Sequence, residues 1–366
     1  MSDLNQTILI FPGGMPRSLD YLQESVREGR SVVGASSLGY DPSRERYPAW
    51  VQLPFITQPE FDTAFRQAIS DFKISGVYTP NPVIWNYLKR MLKTLALGVS
   101  LVNDAPFDGE MHAYRLVCGE ARAQIENPLP LGLADKPNRQ LSEIELAALF
   151  HHAELIPGMC DREKRSALCE IARYVPQGDV VEIGSWWGKS AFILARLAHC
   201  HGIGNLLCVD PWSNDHLVQK DEGSLVDAAS AQVDAEEALT VFSINLLPYS
   251  AQHINYLRMP SVAGAQHYRS TPDVATSTFG NTTYSGHIAL LHIDGNHHYD
   301  SVKADIAAWC DLVIAGGWII VDDYIWPYGD GPKKAGDEFL SENFDRIDIA
   351  LVMGGALFLR LVARCG

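Results

Sequence analysis

Apolar positions in the first part of the chain alternate between short runs and longer stretches at helical spacing. Thr7–Phe11 is a β-rich apolar run that closes on Pro12-Gly13-Gly14, and Leu19, Leu22 and Val26 then recur on one face of Arg17–Glu28. Ser31–Ala35, Trp50–Pro54 and Ser75–Thr79 repeat the strand pattern, and Glu60–Phe72 and Pro82–Leu97 carry helical periodicity. This alternation predicts a small parallel sheet of βαβ units over residues 1–120. Pro12-Gly13-Gly14 reads there as a plain strand-to-helix turn rather than a phosphate cradle. Glu126–Asn138 then gathers proline, glycine and asparagine, which places a linker at 121–140.

Residues 141–366 repeat the alternation at larger scale. Ser142 and Glu145 are spaced for a capping box at the head of a helix through His152, and Asp161–Tyr174 is a further helix stopped at Pro176. An apolar strand then ends in Glu182, the chain turns through Gly184 and Gly188, and an amphipathic helix covers Ala191–Cys200. Asn205–Asp210, Ile254–Arg258, Ile288–Asp294 and Gly316–Tyr324 are the next predicted strands, with a helix over Val302–Cys310. Asp345–Met353 and Ala356–Val362 flank Gly354-Gly355 in the pattern of a β-hairpin. The predicted fold class is α/β: a Rossmann-like sheet with a C-terminal antiparallel hairpin, preceded by a smaller α/β domain.

A hydrophobic content of 47% with 20% charged residues over 366 positions is that of ordinary globular protein with room for two cores. The net charge of -15 argues against a nucleic-acid partner, whose phosphates demand clustered Lys and Arg. Seven scattered cysteines show neither metal-finger spacing nor a disulfide framework, so the expected compartment is the reducing cytoplasm. The N-terminus lacks the pattern of a signal peptide, and no apolar run is long enough for a membrane span.

The chemistry-bearing residues sit where strands end. A loop carrying Gly184 and Gly188 lets a ligand approach bare backbone, next to the first N–H groups of the following helix. Asp210, ending the next strand, is placed beside that loop with two oxygens able to accept from ribose hydroxyls. Asp294, Asp322 and Asp323 end neighbouring strands, so all three carboxylates are expected in one crevice, where a hard divalent cation such as Mg²⁺ relieves their repulsion. His297 follows Asp294 closely and is the candidate base, with His298 its rival by position. The long insertion 213–253 reads as a lid or as a contact in a homo-oligomer, and Met259–Ser261 as neighbours of the ligand's base.

A terminal antiparallel hairpin departs from the all-parallel dehydrogenase pattern and suits a methyltransferase. Val181-Glu-Ile-Gly-Ser-Trp-Trp-Gly-Lys-Ser190, Val209-Asp-Pro-Trp212, His292-Ile-Asp-Gly-Asn-His297 with Tyr299, and Gly316-Gly-Trp-Ile-Ile-Val-Asp-Asp-Tyr324 occur in order. Through them residues 141–366 resemble class I S-adenosylmethionine-dependent methyltransferases, within the group of macrolide sugar O-methyltransferases of the mycinamicin and macrocin type and cephalosporin hydroxylase-like proteins. The resemblance implies that Glu182 and Gly184 line the methionine part of the cofactor, that Ser185, Gly188 and Ser190 complete its loop, and that Asp210 holds its ribose. It also implies Mg²⁺ on Asp294, Asp322 and Asp323, His297 as base, and a hydroxyl of a sugar or glycosylated small molecule as acceptor. Some members of the group carry Glu where Asp322 stands, and Trp186 and Trp187 interrupt the usual three-glycine loop. Residues 1–120 resemble the domain that precedes the ATP-grasp fold in carboxylate-amine ligases, and no chemistry is assigned to them. Two other readings stand beside the enzyme: a cofactor-binding protein that engages a partner without transfer, and a hydroxylase-like activity on the same fold.

Overall fold

The computed structural model describes residues 6–95, 98–217, 232–251 and 253–363. It divides into two compact units, Met1–Leu116 and Val117–Gly366. In the first, strands β1 (Thr7–Ile10), β2 (Ser31–Ser36), β3 (Trp50–Gln52), β4 (Ile74–Tyr78) and β5 (Ser100–Leu101) form an all-parallel sheet in the order β3-β2-β1-β4-β5. Helices Pro16–Arg27, Phe61–Phe72 and Pro82–Leu95 connect the strands. Pro12-Gly13-Gly14 is a strand-to-helix turn in which the Gly13 N–H donates to Ala35 O and the Tyr47 hydroxyl to Gly13 O. Two elements escape the periodicity reading. Strand β5 is two residues long, and the helix Pro106–Glu126 has too weak an apolar stripe to announce itself.

The second unit holds a seven-stranded sheet, in the order Ile347–Met353, Ala356–Leu361, Val313–Val321, Ile288–Ile293, Asp179–Ile183, Leu206–Val209, Ile254–Leu257. Its strands are β6 (Asp179–Ile183), β7 (Leu206–Val209), β8 (Ile254–Leu257), β11 (Ile288–Ile293), β12 (Val313–Val321), β13 (Ile347–Met353) and β14 (Ala356–Leu361). The five from β12 to β8 are parallel, and β13 and β14 form the predicted antiparallel hairpin on the β12 edge. A separate two-stranded ribbon, β9 (Asp273–Thr276) with β10 (Gly280–Thr283), was not legible because its residues are short, polar and glycine-bearing.

Two apolar cores sandwich this sheet, and the twofold alternation of strand side chains divides each strand between them. Val180, Leu206, Leu290 and Ile320 face one core; Val181, Leu207, Leu291 and Ile319 face the other. The first core is closed by helices Glu143–Leu155, Arg162–Ile171, Lys189–His201 and Ala235–Ser250, the second by Ser261–Ser270, Tyr299–Trp309 and Gly331–Glu342. Ser142 and Glu145 form the expected capping box, and Asp161 and Asp234 cap their helices by accepting backbone N–H groups. Of the insertion 213–253, residues 218–231 and 252 lie outside the described residues. Among the described residues, no helix is long and apolar enough to cross a membrane.

Candidate active site

The ladder of the parallel sheet continues one step past the strand ends. Gly184 donates its N–H to Val209, Asp294 to Ile183, Asp322 to Ile293 and Asp210 to Leu257, so four strand-end loops leave the sheet at one level. This alignment gathers residues distant in sequence at the carboxyl edge of the sheet, where open α/β sheets bind ligands.

The loop after β6 is held by Asp210. One carboxylate oxygen accepts the backbone N–H groups of Ser185 and Trp186, at 2.9 and 3.0 Å, and the other accepts Trp212 N–H at 2.7 Å. Burial pushes the Asp210 carboxyl up, against these three donors, which favour its charged form. Asp210 therefore clamps the glycine loop. Gly184 has φ +80, and a Cβ there would stand 2.0 Å from the backbone oxygen of Asp294, so the glycine is needed where two loops cross. Gly188 has φ +90 and packs against Leu246 and Phe242 of the helix Ala235–Ser250, so its role is in packing. Ser185 and Ser190 are buried and face the cavity described below.

Glu182 does not reach the cavity, contrary to the expectation that it lines the methionine part of a cofactor. It lies on the same strand face as Val180, inside the first core, and is fully buried. Its carboxylate lies 3.1 Å from Nδ1 of His292, whose Nε2 lies 3.5 Å from Asp322 Oδ2. Asp322 in turn contacts the ammonium of Lys164, which stands 4.0 Å from Asp294 Oδ2. Glu182, His292, Asp322, Lys164 and Asp294 thus form one chain of alternating acidic and basic side chains.

Neither Lys164 nor His292 was anticipated. Lys164 sits in Asp161-Arg-Glu-Lys-Arg165, a charge run that reads as a solvated helix face, yet it is only 3% exposed. Burial opposes its charge, but Asp322 and Asp294 outweigh burial and hold the ammonium protonated well above its ordinary range. The two carboxylates diverge. For Asp294, burial and the Asp322 charge push the carboxyl well above its usual value. For Asp322, burial acts the same way, but Lys164 and His292 outweigh it and keep the carboxyl ionised.

The three carboxylates do not gather as one triad. Among the described residues, the sets able to hold a metal ion are His292, Asp294 and Asp322, and Asp294, His297 and Asp323, sharing Asp294. Asp323 adopts φ +51 and turns away from Asp322, whose Oδ1 accepts the Asp323 N–H. That turn brings Asp323 Oδ2 to 2.8 Å from Nε2 of His297, whose ring packs on Trp326 with centroids 4.4 Å apart. His298 is the exposed neighbour and stands at the N-cap position of the helix Tyr299–Trp309 without a side-chain capping hydrogen bond.

A cavity of about 1080 Å³ spans both halves. Gly184, Ser185, Ser190 and Asp210 line one side, and Asp294, His297, Asp322 and Asp323, with Lys164, line the other. Trp186 and Trp187 stack at 4.2 Å and also face the cavity. Pro260 and Ser261 line it, while Met259 packs against the second core. Asp305, a buried wall residue absent from the sequence reading, has its carboxyl pushed up to about 6 by burial, against a hydrogen bond with Ser261.

Residues 181–324 match the family model of a methyltransferase domain. Among solved structures, the O-methyltransferase NovP is 20% identical over 55% of this chain and 81% of that one, with a TM-score of 0.39. The calicheamicin methyltransferase CalS11 is 16% identical over 71% and 94%, at 0.39. The MycE methyltransferase of the mycinamycin biosynthetic pathway, in complex with Mg, SAH and mycinamycin VI, is 15% identical over 62% and 56%, at 0.37.

Proposed function

We propose that this chain, whose residues 181–324 form a methyltransferase domain, is an S-adenosylmethionine-dependent O-methyltransferase acting on a hydroxyl of a sugar or glycosylated small molecule. The observation that supports this most is that a single cavity takes in both the Asp210-clamped glycine loop and the cluster of Asp294, His297 and Asp323. Its volume of about 1080 Å³ lies just above the ~300–1,000 Å³ typical of small-molecule sites, which suits two reactants side by side. The acceptor class rests on the four ordered motifs.

In this reading Gly184, Ser185, Ser190 and Asp210 hold S-adenosylmethionine, Gly188 and the buried Glu182 support that loop from behind, and the stacked Trp186 and Trp187 exclude water. The opposite side of the cavity suits a hard divalent cation such as Mg²⁺, because its donors are carboxylate oxygens with an imidazole beside them. Asp294 and Asp323 would hold the ion, while Asp322, outside the set formed by Asp294, His297 and Asp323, already carries Lys164. When bound, the ion supplies stabilisation of negative charge developing on the acceptor oxygen. His297 takes the proton of the acceptor hydroxyl, and Asp323, 2.8 Å away, orients the ring and stabilises the imidazolium.

The test is release of S-adenosylhomocysteine from S-adenosylmethionine across a panel of sugar nucleotides and glycosylated small molecules, with and without chelator. Turnover with a hydroxylated sugar acceptor that chelator suppresses is expected. Full turnover in excess chelator would overturn the metal's role, and no turnover with any hydroxyl acceptor would overturn the assignment.

A further inference from the structure

We propose that Lys164 is a built-in counter-cation of the acidic cluster that competes with a divalent ion for Asp322 and Asp294, so that the cluster stays assembled without metal and binds metal weakly. The inference rests on the metal site of the preceding reading and concerns how that site is governed.

The ammonium contacts Asp322 and lies 4.0 Å from Asp294 Oδ2, and these two carboxylates, with His292, form one of the two sets able to hold a metal ion. A divalent ion among them would share Asp322 with a fixed positive charge. That charge is almost wholly withdrawn from solvent. Lys164 is 3% exposed, its backbone N–H is fixed at 2.8 Å by the capping carboxylate of Asp161, and the hairpin turn presses on the same atoms. A Cβ on Gly354 would stand only 2.3 Å from Lys164 N, so the C-terminal hairpin and the helix Arg162–Ile171 hold the lysine in place from two sides. An exposed lysine would swing into water when a metal arrived, whereas this one is 3% exposed and rooted in a backbone held on two sides, so it stays close to the acidic cluster. Asp323, which pairs with His297 rather than with Lys164, remains the better donor.

The competition is measured on the full chain without cofactor or acceptor, by titrating Mn²⁺ into wild type, Lys164→Met and Lys164→Gln and following free Mn²⁺ by electron paramagnetic resonance. Both variants are expected to bind Mn²⁺ at least ~10-fold more tightly than wild type, and their melting temperatures to rise with Mn²⁺ more steeply, because an ion that binds the folded state stabilises it in proportion to its affinity. Equal or weaker Mn²⁺ binding in both variants overturns the proposal. Should neither variant fold without metal, refolding in saturating Mn²⁺ becomes the readout: recovered structure supports the proposal, and failure to recover overturns it. Methyl transfer by the wild type is scored separately. Its absence would contradict the proposed function and leave the Mn²⁺ comparison standing, while unchanged Mn²⁺ affinity would remove this role of Lys164 with turnover intact.

Discussion

A Cβ on Gly184 would stand 2.0 Å from the backbone oxygen of Asp294, because the loop after β6 and the loop after β11 cross backbone to backbone. The loop proposed to hold the methyl donor and the loop that opens the acidic cluster are therefore one mechanical unit. Gly184→Ala has to push them apart and also to place a side chain at φ +80, a conformation that alone costs about 1–3 kcal/mol. The expected result is a lower denaturation midpoint together with weaker binding of both S-adenosylhomocysteine and Mn²⁺. Loss of one without the other would contradict the coupling.

Asp210→Ala removes the acceptor of three backbone N–H groups at Ser185, Trp186 and Trp212. Each buried donor left without a partner costs about 1–3 kcal/mol. Calorimetry is expected to show S-adenosylhomocysteine binding weakened at least ~10-fold, with a loss of stability in urea. Affinity equal to wild type would show that the loop keeps its shape without the clamp.

Asp294→Asn is expected to raise the stability of the metal-free protein at neutral pH. Burial and the Asp322 charge raise the folded-state affinity of Asp294 for its proton above that of the unfolded chain. Its favourable contribution is thus fully present below the ordinary carboxylate range and is lost as pH rises through the raised folded value. Asn stays neutral throughout, so the gain in melting temperature over wild type should be largest at neutral pH and vanish in acid. A destabilised Asp294→Asn at neutral pH in chelator would contradict the charge assignment.

These expectations depend on residues of unequal legibility. Asp210, Asp294 and Asp322 each close a buried apolar strand, and in a parallel sheet that pattern forces them to one edge; the fold and the location of the crevice followed from it. Glu182 carries the same signal, yet it belongs to the strand interior by one residue, and alternation turns it into the core against His292. Asp323 and His297 were expected near a metal, but their mutual 2.8 Å contact depends on the left-handed backbone at Asp323, which no local pattern announces. Lys164 was invisible for a different reason. Its burial results from the β13–β14 hairpin folding onto a helix nearly two hundred positions earlier, a contact between elements that read in isolation as a solvated helix end and a glycine turn.

His297→Gln keeps a polar side chain beside Trp326 but removes the base. Turnover is expected to fall by about 10²–10⁴-fold, the usual contribution of a positioned acid or base, with S-adenosylhomocysteine affinity unchanged. A variant that retains wild-type kcat would return the proton to another group, His298 first among them.

In the proposed reaction the methyl group moves to an acceptor oxygen inside the cavity lined by both Asp210 and His297. The most direct measurement is nuclear magnetic resonance of the product formed with ¹³C-methyl-labelled S-adenosylmethionine and a hydroxylated sugar acceptor. A single methoxy carbon on the acceptor is expected, formed by wild type and suppressed in His297→Gln. Label that appears on nitrogen or carbon, or that stays in the donor with every hydroxyl acceptor although the donor binds, would contradict it.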